Sequence, residues 1–194
     1  MGSRPHTYCT MSLPLFSAPR GGALDLRYLK GDVTLPQSDG PTILPHICND
    51  EGGWGKGFVL SLSNRWNAPE REYRALSARH GLDTIPLGTA QIVQVEPIVW
   101  VVNMIAQRGY DRRGQRPSPT PRIRYPALRT ALTEVASLAK LKNASIHAPR
   151  FGAGLARGNW DEIECIIRDT CAGLTVCIYD FEQPRFARRS DKRH

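Results

Sequence analysis

The chain has 194 residues and a hydrophobic content of 41%, enough for one globular domain that buries roughly 70% of its unfolded surface. No apolar run approaches the roughly 18 residues of a membrane span. Net charge is +8, but residues 184–194 hold Arg185, Arg188, Arg189, Lys192 and Arg193 against Asp191 (+5 − 1 = +4), so the body carries only about half of the excess.

A body of that charge suits an anionic small ligand. With no aromatic RNA-binding strand and no Cys/His finger, the sequence weighs against nucleic acid as a partner. The cysteines (Cys9, Cys48, Cys165, Cys171 and Cys177) are odd in number and form no CxxC. They are expected as free thiols in a reducing compartment, the cytoplasm, with no metal site and no cofactor.

In chain order, residues 1–22 are proline-broken and read as a flexible leader without a signal peptide. A domain over 23–183 follows, and 184–194 form a flexible basic tail. Strands are predicted over 24–30, 42–48, 90–107 (two strands split at Glu96-Pro97), 144–150 and 174–181. Helices are predicted over 55–66, 68–79, 125–142 and 159–171, the last with Asn159 as N-cap and Glu162 completing a capping box. Residues 109–124 read as a polar, proline-broken surface loop. This alternation predicts an α/β fold of three layers, α/β/α, around a central mixed sheet whose antiparallel part lies at 90–107.

Two junctions concentrate the chemistry. "TILPHIC" runs into "NDEGGWGKG" (49–57), and "ASIHAPR" runs into "FGAGLARGNW" (151–160); both feed predicted helices. Glycine lets backbone N–H groups approach a ligand closely, and a helix start adds partial positive charge, a combination suited to a diphosphate. Lys56 is followed by Gly57 rather than Ser or Thr, which excludes a Walker loop, and G-x-G-x-x-x-G at 152–158 is not the dinucleotide fingerprint.

Together, "YLKGDVT" (28–34), "HICNDEGGWGKGF" (46–58) and "APRFGAGLARGNWDEIE" (148–164) resemble the macrodomain family of ADP-ribose binders. The branch resembled holds the macrodomain of the amplified-in-liver-cancer chromatin remodeller and the terminal ADP-ribose–protein glycohydrolase. The resemblance implies roles. Asp32, with Val33, would hold adenine, although an ordinary turn aspartate fits the same position. Phe181 would stack on the base, or cover core at a sheet edge. Gly152, Ala153, Gly154 and Leu155 would hold the diphosphate, with Gly55 and Gly57 closing over it. Asn49, Asp50 and Trp54 would frame the distal ribose. Arg150, His46 and His147 are expected to be structural.

In that branch the glycohydrolase uses a strand lysine and a loop aspartate. Here Ala106 or Gln107 stands near the first position and Ala156 at the second, so a lysyl intermediate is not expected. A water set between the diphosphate and C1″ would remain, with Asp50 or Glu51 as general base. The expectation is a hydrolase releasing mono-ADP-ribose from acidic side chains, with ADP-ribose and mono-ADP-ribosylated proteins as partners. The absence of a second module favours this over the alternative, a non-catalytic reader. A third reading, from another class, is nucleic-acid binding through the basic tail.

Overall fold

The stretch Val99–Gln107 (VWVVNMIAQ) is buried along nearly its whole length, so both of its faces must be covered. Trp100, Val102, Met104 and Ala106 join one core cluster, while Val99, Val101 and Ile105 join those on the other side. This is the period-two alternation of a central strand with helices above and below. A computed structural model describes residues 22–180 except 113, 115 and 117. Residues 1–21 of the leader, the tail and Phe181 lie outside the described residues.

The elements are β1 (Asp25–Lys30), β2 (Thr42–Asn49), α1 (Val59–Arg65), α2 (Ala68–His80), β3 (Ala90–Glu96), β4 (Val99–Gln107), α3 (Tyr125–Lys142), β5 (Ser145–Pro149), α4 (Trp160–Thr170) and β6 (Thr175–Asp180). The six-stranded sheet runs β1-β6-β5-β2-β4-β3, parallel except for β3, which pairs antiparallel with β4 at the edge. α3 and α4 cover one face through Leu128, Leu132, Val135, Ile163 and Ile167. α1 and α2 cover the other through Leu62 and Tyr73. The result is the expected three-layer α/β/α arrangement around a mixed sheet.

Local chemistry sets the helix ends. α3 starts with a proline in its first turn and stops at Asn143, whose left-handed φ of 50° ends the spiral. α1 is shorter than predicted. Gly55 (φ 126°) and Gly57 (φ 75°) stand in conformations a helix cannot contain, which delays its start to Val59. At α4, Asn159 accepts from the Asp161 N–H at 3.0 Å as expected. The capping box is not completed by Glu162, because the Asn159 N–H donates to the Tyr125 hydroxyl instead. Cys48, Cys171 and Cys177 are buried and Cys165 is half-buried, and none of the four is in a disulfide. No helix of the described residues is long and apolar enough to cross a membrane.

Candidate functional site

β2 and β5 are parallel neighbours, so the two glycine loops leave adjacent strands at the same end of the sheet. Between them lies a cavity of about 730 Å3, within the usual range for a small-molecule site.

Asn49 organises the first loop. Its Nδ2 donates to the Gly53 carbonyl at 2.6 Å, and its Oδ1 accepts from the N–H groups of Glu51 (3.0 Å) and Gly53 (2.9 Å). Trp54 is then held by its indole N–H donating to Ser63 Oγ at 2.9 Å, with Ser63 donating in turn to Glu70. The Trp54 ring packs on Tyr73 (5.5 Å) and edge-on against His46 (5.6 Å). In the second loop, Gly152 is pressed onto Ile123, Ile47 and Ile163, and its carbonyl accepts from the Gly158 N–H at 2.8 Å.

The loops meet across the cavity. Leu155 Cδ1 lies 3.2 Å from where a Cβ on Gly57 would stand. None of the N–H groups of Trp54 to Phe58 or of Gly152 to Ala156 donates to another described residue. Backbone donors left open beside a cavity suit an anionic ligand. The helix starts contribute less than the sequence implies. α1 has only seven residues, and α4 begins beyond the loop with its own Asn159 cap and with Asp161 and Glu162 in its first turn. The loop amides, more than a helix dipole, are the feature suited to an anion.

A third wall comes from described residues of the 108–124 segment. The Gln107↔Ile123 bridge closes the base of this segment. Arg108 N–H donates to the Arg122 carbonyl and Arg122 N–H to the Ala156 carbonyl, each at 2.9 Å. Asp50 Oδ1 accepts from the Gly109 N–H at 2.7 Å. The Arg157 guanidinium donates to the carbonyls of Ser118 and Thr120. Tyr110 lies so close to Gly53 that a Cβ there would sit 2.5 Å from the ring. Tied to both glycine loops, the segment presents Tyr110, Asp111, Arg112 and Arg122 to the cavity.

His46 and Cys48 form part of the floor. The His46 ring is within 2.6 Å of Asn103 Oδ1, and burial lowers its pKa to about 4, so it is neutral at pH 7. Burial also lowers His147 to about 4, and its ring contacts Ser145 and Tyr179 away from the cavity. The Cys48 thiol is pushed well up by burial and is no nucleophile. Arg150 stands at the cavity edge, its guanidinium between the rings of Tyr28 (5.0 Å) and Trp160 (4.9 Å) and paired with Asp180.

The fold brings Asn49, Trp54, Gly55, Gly57, Gly152, Gly154 and Leu155 to the cavity, but not the other described candidates. Asp32 serves its own turn, with Oδ1 accepting from the Thr34 N–H (2.9 Å) and hydroxyl (2.8 Å). Val33 is buried in the core under α1. Ala153 is absent from the wall. Asp50 is fully buried and turned to the third wall, with Arg108 Nη1 3.1 Å from Oδ2 but off hydrogen-bonding geometry. Glu51 pairs with Arg112 at 3.4 Å. Neither carboxylate is among the residues that line the cavity, unlike the expectation of either as a direct general base. Ala106 is fully buried, and Gln107 donates to the Gly109 carbonyl at 2.7 Å. Sequence reasoning missed Asp111 and Arg122. Both fall in 109–124, which reads only as a polar, proline-broken surface loop.

No family model matches the chain. A macrodomain protein from Streptomyces coelicolor is 44% identical and superposes with a TM-score of 0.68 over 80% of this chain and 99% of its own. A protein of unknown function from Bacteroides thetaiotaomicron is 42% identical, with a TM-score of 0.74 over 82% and 99%. Among curated relatives, the Danio rerio chromodomain-helicase-DNA-binding protein 1-like is 29% identical over 87% of this chain, which spans only 17% of that protein. The ADP-ribose 1''-phosphate phosphatase of Meyerozyma guilliermondii is 22% identical over 74% of this chain and 92% of its own.

Proposed function

The chain belongs to the macrodomain family, and on that premise we propose that it binds ADP-ribose and hydrolyses the bond joining the distal ribose to an acidic protein side chain. One observation carries this reading: two sets of unengaged backbone N–H groups, on loops that touch through Leu155 and Gly57, face a single cavity. A diphosphate offers acceptors to both sets at once, and charge-assisted bonds of this kind are the stronger ones. Trp54 and Asn49 then lie where a sugar beyond the diphosphate would sit. A relative named for acting on ADP-ribose 1''-phosphate supports hydrolysis at that end of the ligand.

The chemistry asks little of the protein beyond placement. An ester at the anomeric carbon is labile, and holding a water against it is worth several orders of magnitude. Calorimetry with ADP-ribose, followed by incubation with a protein carrying glutamate-linked ADP-ribose, tests the reading. One-site binding and release of free ADP-ribose are expected. Tight binding without release would make the protein a reader, and no binding would overturn the assignment altogether.

A further inference from the structure

We propose that Asp111 is the group that accepts the proton from the attacking water, delivered to the cavity by the 108–124 segment and aimed by Arg122. The inference rests on the hydrolase reading above and adds the residue that performs its proton transfer.

Among the described residues, Asp111 is the one carboxylate in the cavity wall. Its hydrogen bonds are one-sided. Arg122 Nε (2.8 Å), Arg122 Nη2 (2.5 Å) and the Ser118 N–H (3.3 Å) all donate to Oδ1. Oδ2 accepts from no described residue, so one oxygen is anchored and the other is open to a water. The other candidate bases are engaged elsewhere: Asp50 accepts from the Gly109 N–H, Glu51 pairs with Arg112 and stands outside the lining set, and the His46 ring is taken by Asn103.

Two cations face the Asp111 carboxylate, Arg122 on its own segment and Arg157 from the second glycine loop. The bonds from Arg122 first, and the one from Ser118 next, hold its pKa below the usual carboxylate range. Asp111 is therefore ionised in weakly acidic solution as well as at neutrality. It accepts a proton only transiently and passes it on to solvent.

The step balances without a co-reactant. The water oxygen bonds to the anomeric carbon as one of its protons passes to Asp111 Oδ2. The bond from that carbon to the ester oxygen breaks, and its electron pair leaves on the side-chain carboxylate. Free ADP-ribose and the protein acid result, and Asp111 then releases the proton to bulk water.

The test follows ADP-ribose release from a glutamate-linked substrate, with calorimetry in parallel, for wild type, Asp111→Asn, Asp111→Glu and Arg122→Gln. Asp111→Asn is expected to lower kcat about 100-fold or more while ADP-ribose affinity stays within about threefold. Asp111→Glu should recover about tenfold of that loss. Arg122→Gln should move the acid limb of the rate profile to higher pH, because the carboxylate then protonates earlier as pH falls. A wild-type rate in Asp111→Asn, an equal loss of binding, or an unmoved acid limb would each overturn the assignment of Asp111 alone. A wild-type protein that binds ADP-ribose and releases none would overturn it together with the hydrolase reading.

Discussion

The two glycine loops face one cavity but use glycine for different reasons. In the first loop, Gly55 and Gly57 supply backbone conformations; a Cβ on Gly55 would meet nothing, and one on Gly57 only the flexible end of Leu155. In the second, Gly152 and Gly158 are where neighbours press in. A Cβ on Gly152 would stand 2.7 Å from Ile123 Cδ1, and one on Gly158 2.9 Å from the Gly152 carbonyl oxygen. At Gly55 and Gly57 the first loop is thus shaped by torsion angles, and at Gly52 and Gly53 by the side chains of Ser77 and Tyr110, whereas the second is compressed against core isoleucines. A glycine count treats the loops as equivalent. Their energetics differ.

Substitution at Gly152 should separate them most. Gly152→Ala combines a φ of 77° with contact against three isoleucines, so a loss of about 2–5 kcal/mol is expected from strain plus overpacking. Urea unfolding measures it, and a loss under about 1 kcal/mol would show that the second loop yields as easily as the first.

Acid should act next, and on the first loop's support. Trp54 and Phe58 rest edge-on against His46, whose folded pKa is about 4 against an ordinary 6.5. As pH falls, the unfolded chain takes up that proton first. Stability from this group is therefore full above about pH 6.5 and is lost as pH falls toward 4. The loss should be on the order of 3 kcal/mol. His46→Gln should flatten that pH dependence, and an unchanged slope would remove His46 as its source.

Gly57→Ala should cost less, about 1–2 kcal/mol, since only torsional strain is at stake. Thermal melts would break the comparison if Gly57→Ala cost as much as Gly152→Ala. Gly154→Ala should change stability by under about 0.5 kcal/mol, because the new methyl meets no protein atom and Gly154 carries no positive φ. Its effect should instead appear in ADP-ribose affinity, with a drop of about tenfold. Unchanged affinity on calorimetry would place the ligand away from this loop.

Much of the fold was legible before any coordinates. The alternation at 90–107, the apolar face over 125–142 and the Asn159 cap each depend on residues within one or two turns of one another. They emerged close to their predicted bounds. Where a local pattern failed, a local competitor won: the positive φ values at Gly55 and Gly57 shortened α1, and the Tyr125 hydroxyl took the N–H expected to bond Glu162. The site was legible in part. "EGGWGKG" and "FGAGL" announce exposed amides through their glycines, whereas "YDRRG" carries no period and no turn chemistry that would raise it above a solvated loop.

What the sequence determined by itself, then, was the set of layers and the two glycine bends, because side-chain period and backbone torsion are written in near neighbours. Tertiary structure decided which carboxylate reaches the cavity. Asp50, chosen for its place beside Asn49, is drawn inward by the Gly109 N–H, and Asp111 is held at the wall by Arg122 and through the Arg122–Ala156 bond. The Asp50–Gly109 and Arg122–Ala156 pairings join residues far apart in the chain. They form only once packing has brought their strands together, and no spacing along the chain encodes them.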